Sequence, residues 1–101
     1  MSVMSYASLQ TEFASDLAAV VLSRWRRKVP AIWLEEGHAL ILLSNGSCEL
    51  IARDGFLDIA ITAGSTPDAA VLEQAFAGHF EGLAAKDGLK YQRFVQTAEQ
   101  N

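Results

Sequence analysis

A chain of 101 residues, half of them hydrophobic, is sized for one compact domain (1–101) that buries a core without metal or disulfide staples, and this composition excludes intrinsic disorder. Its net charge of −4 repels phosphate backbones and so excludes the broad basic footprint of a nucleic-acid binder. The single cysteine, Cys48, admits no internal disulfide and fits a reducing compartment. Residues 1–7 lack the basic and apolar regions of a signal peptide. The apolar runs Leu17–Leu22 and Ala39–Leu43 fall far short of the roughly 20 residues a membrane helix needs. A cytoplasmic protein with no membrane partner is expected.

The first predicted element is a helix over 7–28, preceded by a frayed segment 1–6. Leu9, Phe13, Leu17, Val21 and Trp25 recur at helical spacing, and Thr11, Glu12, Ser15 and Asp16 lie off that stripe. Acidic residues come early and Arg24, Arg26, Arg27 and Lys28 late, an order that suits the helix dipole. Pro30 stops the helix.

A strand meander follows. Ala31–Glu35 is β-like and ends at Glu36-Gly37. The apolar run His38–Ser44 ends at Asn45-Gly46, and Asp54-Gly55 marks a further turn; both dipeptides are read as hairpin turns with positive φ at both positions. Between these turns Cys48, Leu50 and Ala52 alternate with Glu49 and Arg53. Over 56–62, Leu57, Ile59 and Ile61 alternate with Asp58 and Thr62. Ser65 or Thr66 then caps a second helix with Pro67 in its first turn, running to about residue 85 on a stripe of Leu72, Phe76, His79, Phe80 and Leu83. Gly78 and Gly82, one turn apart, are read as allowing close packing on the sheet. Residues 89–96 form a last strand, and the polar tail 97–101 frays.

The expected fold is α+β in the order α-β-β-β-β-α-β, an antiparallel meander with both helices on one face. Ile51, Phe56 and Ala60 make the other face partly apolar, which points to a homodimer or a ligand surface.

The helix end Arg24-Trp25-Arg26-Arg27-Lys28-Val29-Pro30, the segment Asn45-Gly46-Ser47-Cys48-Glu49-Leu50 and the run Leu72-Glu73-Gln74 through His79-Phe80 resemble a bacterial family catalogued as domain of unknown function 2218. The resemblance covers residues 14 to about 95. It implies no established activity. It does imply an association with siderophore-interacting flavin reductases, and hence a place near iron uptake. Cys48 and His79 stand where the family tends to carry cysteine and histidine. The family's Cys-Lys-His stretch and second histidine at the end of the first helix are replaced here by Leu22, Ser23, Arg24 and Arg27, so a metal role built on those groups does not carry over.

Each candidate residue has a structural reading beside the functional one. Cys48 lies on an apolar strand face, where a free thiol behaves as a small hydrophobe; the alternative is a nucleophile with His79 as base. His79 on an apolar helical stripe reads as a packing histidine, and His38 after a turn as an exposed one. Arg24, Arg27 and Lys28 complement the helix dipole, or form an anion site for carboxylate or phosphate. Trp33, if Ile32 and Leu34 face the helices, points to the open face and could join Phe56 in an aromatic patch. No phosphate loop, nucleophile elbow or metal-binding motif occurs in the sequence, so no catalytic residue, metal site or cofactor is assigned. The expectation is a non-enzymatic accessory or binding domain, with Arg24, Arg27, Lys28, Trp33, Cys48 and His79 as its ligand-binding candidates. A small Cys/His enzyme and a purely structural homo-oligomeric module are the alternatives.

Overall fold

A computed structural model describes residues 3–87 and 90–98. The chain runs β1 (Val3–Gln10), α1 (Ala14–Arg26), β2 (Ala31–Glu35), β3 (His38–Leu43), β4 (Gly46–Arg53), β5 (Phe56–Ala63), α2 (Thr66–Asp87) and β6 (Lys90–Ala98). Six antiparallel strands form one sheet in the order β2-β3-β4-β5-β1-β6. The predicted four-stranded meander is present as a block, and β1 and β6 extend it beyond β5. Both helices cover the same face, α1 over β2 to β5 and α2 over β4, β5, β1 and β6. The α+β class and the helices on one side match the sequence reading. No helix among the described residues is long and apolar enough to cross a membrane.

The element order needs one correction at its start. Residues 7–10, read as helix, and 3–6, read as frayed, form β1, an interior strand between β5 and β6. Val3, Ser5, Ala7 and Leu9 point into the core at strand period, while Tyr6 and Gln10 are exposed. Ser5 and Ala7 are too small to announce that alternation, and Leu9 also fits the helical stripe of Leu17, Val21 and Trp25. The stripe itself fails at Phe13, which is 63% exposed. The helix begins late because Thr11 organises the turn before it. The Thr11 N–H donates to the Gly55 carbonyl, and its hydroxyl accepts from the Phe13 N–H at 3.0 Å.

The core lies between the sheet and the two helices. Ala14, Ala18, Val21 and Leu22 of α1 and Ala69, Leu72, Phe76 and Phe80 of α2 close over Leu9, Ile41, Cys48, Leu50, Leu57, Ile59 and Ile61. The α2 start follows the sequence reading: the Ser65 hydroxyl accepts from the Asp68 N–H at 3.2 Å. A Cβ added at Gly78 or Gly82 would meet nothing within 4 Å, so these glycines do not serve close packing as expected. Leu83 lies outside the described side chains, and Leu89 and residues 99–101 outside the described residues.

The hairpins also differ in detail. Among the described residues no non-glycine residue has positive φ, so neither turn uses it at both positions. The β3–β4 loop is Ser44-Asn45, because Gly46 already pairs with Leu43. Gly37 and Gly55 alone supply the positive φ of their turns, at +78° and +82°.

The other sheet face is uncovered. Ser8 donates its hydroxyl proton to Asp58 at 2.9 Å, Arg53 pairs with the same carboxylate, and its guanidinium lies 4.2 Å over the Phe56 ring. Tyr6, Ile51 and Ala60 line a shallow groove beside them. His38, expected to be exposed, is half-buried between the carboxylates of Glu35 (3.7 Å) and Glu49 (3.5 Å).

Candidate functional site

The basic end of α1 stands beside the middle of α2. Arg24, Arg27 and Lys28 are three and four residues apart and so share one side of their helical turn; Ala75 and His79 do the same on α2. Together with Trp25 they line a cleft of about 440 Å³. Arg26, between these cations in sequence, is turned away: its Nε donates to the Ala31 carbonyl at 3.1 Å.

The cleft rests on an aromatic base. Trp25 stacks on Phe76 with ring centroids 4.4 Å apart and planes 25° apart. Phe76 is fully buried, so this stack ties the basic helix end to the core. His79 packs edge-on against Phe80 at 5.7 Å.

The state of His79 follows from its neighbour. Arg24 Nη1 lies 3.2 Å from His79 Nδ1. A guanidinium only donates, so Nδ1 accepts and the ring is neutral with its proton on Nε2. Burial pushes the imidazole pKa below its ordinary value, and the Arg24 charge adds to the shift. The Nε2–H has no partner among the described residues. The site therefore presents two guanidiniums and one ammonium beside a neutral His79 whose Nε2 is buried.

Of the six sequence candidates, the structure brings together Arg24, Arg27, Lys28 and His79. Cys48 is elsewhere. It is fully buried on β4, opposite Ile41 and Ile61, and is not among the cleft-lining residues. Burial, reinforced by the Glu49 carboxylate, drives its thiol pKa far up, away from the thiolate a nucleophile needs. We expect a thiol-specific reagent such as DTNB to leave Cys48 unmodified in native protein and to react fully in denaturant. Fast native labelling would contradict its place in the core.

Trp33 is corrected in orientation. It pairs with Ala39, whose side chain lies under the helices, so Trp33 is on the helix-bearing side of the sheet. It sits on the edge strand β2, three strands along from the β5 strand that carries Phe56 and on the opposite face, and the two form no common patch. A register shift between Trp33 and Glu35 breaks the simple alternation assumed for this strand.

The wall residues Trp25 and Ala75 were not read as site residues from sequence. Trp25 belonged to the predicted core stripe, and no signal marked Ala75. Only the four-residue offset of Ala75 from His79 places it on the same helical face.

Among the described residues, no group of three or more His, Cys, Asp or Glu side chains is placed to hold a metal ion.

Comparison with known proteins gives fold and family. The NMR structure of PA4090 from Pseudomonas aeruginosa is similar over 97% of this chain and 98% of its own, with a TM-score of 0.72 and 17% identity, a likeness of fold. No curated protein matches the chain. The model of a family described as uncharacterized proteins conserved in bacteria, DUF2218, matches residues 6–92, and the chain belongs to that bacterial family.

Proposed function

We propose that this protein is a non-enzymatic binding domain of the cytoplasm that takes a small organic anion in the cleft between α1 and α2, and that it works as a homodimer. The observation that carries the reading is the convergence of Arg24, Arg27 and Lys28 on one cleft over an aromatic base, with His79 bonded to Arg24 at its wall. Guanidinium forks match carboxylates. A cleft of about 440 Å³ is in the size range of small-molecule sites. The association with siderophore-interacting flavin reductases implied by the family resemblance makes a carboxylate-rich iron chelate the favoured ligand and such a reductase the favoured partner.

The test is calorimetric titration with citrate and with ferric citrate. We expect saturable binding that weakens as salt rises. Arg24→Glu/Arg27→Glu should weaken it by at least about a hundredfold, since two charged hydrogen-bonding groups at about 1.5–3 kcal/mol each are lost. Both residues are exposed, so the fold should persist. Equal binding by wild type and variant would overturn the site, and equal binding of citrate with and without iron would overturn the iron link.

The same titration has a pH dependence of definite sign. His79 is neutral in the free protein, and a bound anion favours its protonated form. Affinity should therefore rise as pH falls below the ordinary histidine value of about 6.5 and through the lower value of the free protein. His79→Gln should flatten that rise.

A further inference from the structure

We infer that the outer edge of β2 is the homodimer surface, and that two copies pair β2 against β2 antiparallel about Trp33, joining their sheets. This names the surface for the homodimer in the reading above, and rests on that part of it alone.

The first reason is the backbone. Leu42 N–H donates to the Pro30 carbonyl at 2.9 Å, and the same register pairs Ala31 with Ile41, Ile32 with Leu40 and Trp33 with Ala39. In an antiparallel ladder the hydrogen-bonded pairs alternate. The 30–42 and 32–40 pairs bond to each other, so the N–H and C=O of Ala31 and Trp33 point outward. The Arg26 Nε on the outward carbonyl of Ala31 agrees with this phase. β2 ends the sheet, so Trp33 offers a donor and an acceptor that are complementary to themselves across a two-fold axis.

Side chains give the second reason. Ile32, Trp33 and Leu34 are consecutive and 50%, 41% and 47% exposed. An edge strand that ends a sheet ordinarily carries charge or proline, because an apolar edge invites pairing. These three apolar residues occupy both faces of the edge, as a strand entering a longer sheet requires.

Charge selects the direction and the partner. β2 is preceded by the basic run 24–28 and followed by Glu35 and Glu36. Antiparallel pairing about Trp33 brings the Glu35 end of one copy to the Ala31 end of the other, where the Arg26 guanidinium is already held. Parallel pairing would set acid against acid. The strand is thus complementary to a second copy of itself in hydrogen bonds, apolar contact and charge.

Sedimentation equilibrium tests the pairing, with three variants. Wild type should show a monomer–dimer equilibrium in the micromolar to millimolar range, as a small interface gives. Trp33→Pro removes an N–H that β3 does not use, so the melt should be retained while dimerisation weakens about a hundredfold. Arg26→Glu should weaken it by about tenfold, and Arg26→Glu/Glu35→Lys should restore it. In a Cys48→Ala background, Trp33→Cys should form a symmetric disulfide on mild oxidation, because directly opposite residues of a hydrogen-bonded pair lie about 5.5 Å apart at Cα. A dimer indifferent to Trp33→Pro, with no Trp33→Cys cross-link, would overturn the β2 surface and leave the homodimer reading standing. A monomer throughout would overturn both. The citrate titration reads the cleft separately, because none of these variants changes a cleft-lining residue.

Discussion

Gly46→Ala should destroy the cooperative folding of this protein, with a loss of roughly 4 kcal/mol or more against the 5–15 kcal/mol that small domains have in total. Gly46 opens β4, where the backbone pairs with Leu43 on one side and Ala63 on the other. A Cβ there would overlap the Thr62 carbonyl oxygen, and would also come within 2.9 Å of Leu72 Cδ1 and 3.2 Å of Ala63 Cα. The leucine methyl could swing aside, but the other two neighbours are sheet backbone and move only if the β4–β5 ladder opens. Two comparison variants separate this cause from glycine's general flexibility. Gly55→Ala places a Cβ in open space at φ +82°, so only the left-handed penalty of about 1–2 kcal/mol applies. Gly78→Ala, in mid-helix with open space around it, should stabilise by roughly 0.5–1 kcal/mol. Circular-dichroism melts of the three should rank them 78, 55, 46 from most to least stable. A Gly46→Ala melt equal to that of Gly55→Ala would contradict the pairing of Gly46 with Ala63.

Phe76→Ala should cost about 3–5 kcal/mol. Phe76 is fully buried between α2 and the sheet and also carries the Trp25 ring. Truncation removes the core contacts and leaves a cavity that α2 can close only by shifting toward the sheet. For a domain of this size the melting temperature should fall by about 15 °C or more. Phe76→Leu fills most of the space and should lose much less. The shared stack adds a functional consequence: in Phe76→Ala protein that is still folded, Trp25 should gain solvent exposure, read as a red shift in its fluorescence, and citrate binding should weaken with it. A folded variant with unchanged tryptophan emission would mean that the stack does not brace the cleft.

The two experiments probe different levels of the same architecture. Gly46 sits against the backbone of β5 and is not one of the residues that line the cleft. Phe76 links core to cleft, so its loss should appear in stability and binding alike. The charge variants of Arg24 and Arg27 change binding only. That graded pattern, rather than any single variant, distinguishes a site built on the core from a surface charge cluster that happens to gather there.

Much of this architecture follows from local pattern. The meander from Ala31 to Ala63, the α2 helix with its cap at Ser65 or Thr66 and its Leu72, Phe76, Phe80 stripe, and the inward set of Cys48, Leu50, Leu57, Ile59 and Ile61 all have periods and turn residues that mark them in the sequence. So does the concentration of charge at Arg24–Lys28. These features are legible because side-chain direction within one element depends only on spacing along the chain. Tertiary structure decided the rest. Leu9 fits a helical stripe and a strand face equally well; it became strand because an open edge of β5 on one side and β6 on the other, more than 40 residues away in sequence, supply its hydrogen bonds. Trp33 went to the helix-bearing side because register with Ala39, not its own neighbours, sets its face. The cleft exists only where α1 ends beside the middle of α2, which brings Arg24 within 3.2 Å of His79 across 55 residues of chain. Spacing along one segment specifies which way a side chain points, but what it points at is set by packing between segments, and that is where the strand, the site and its histidine were decided.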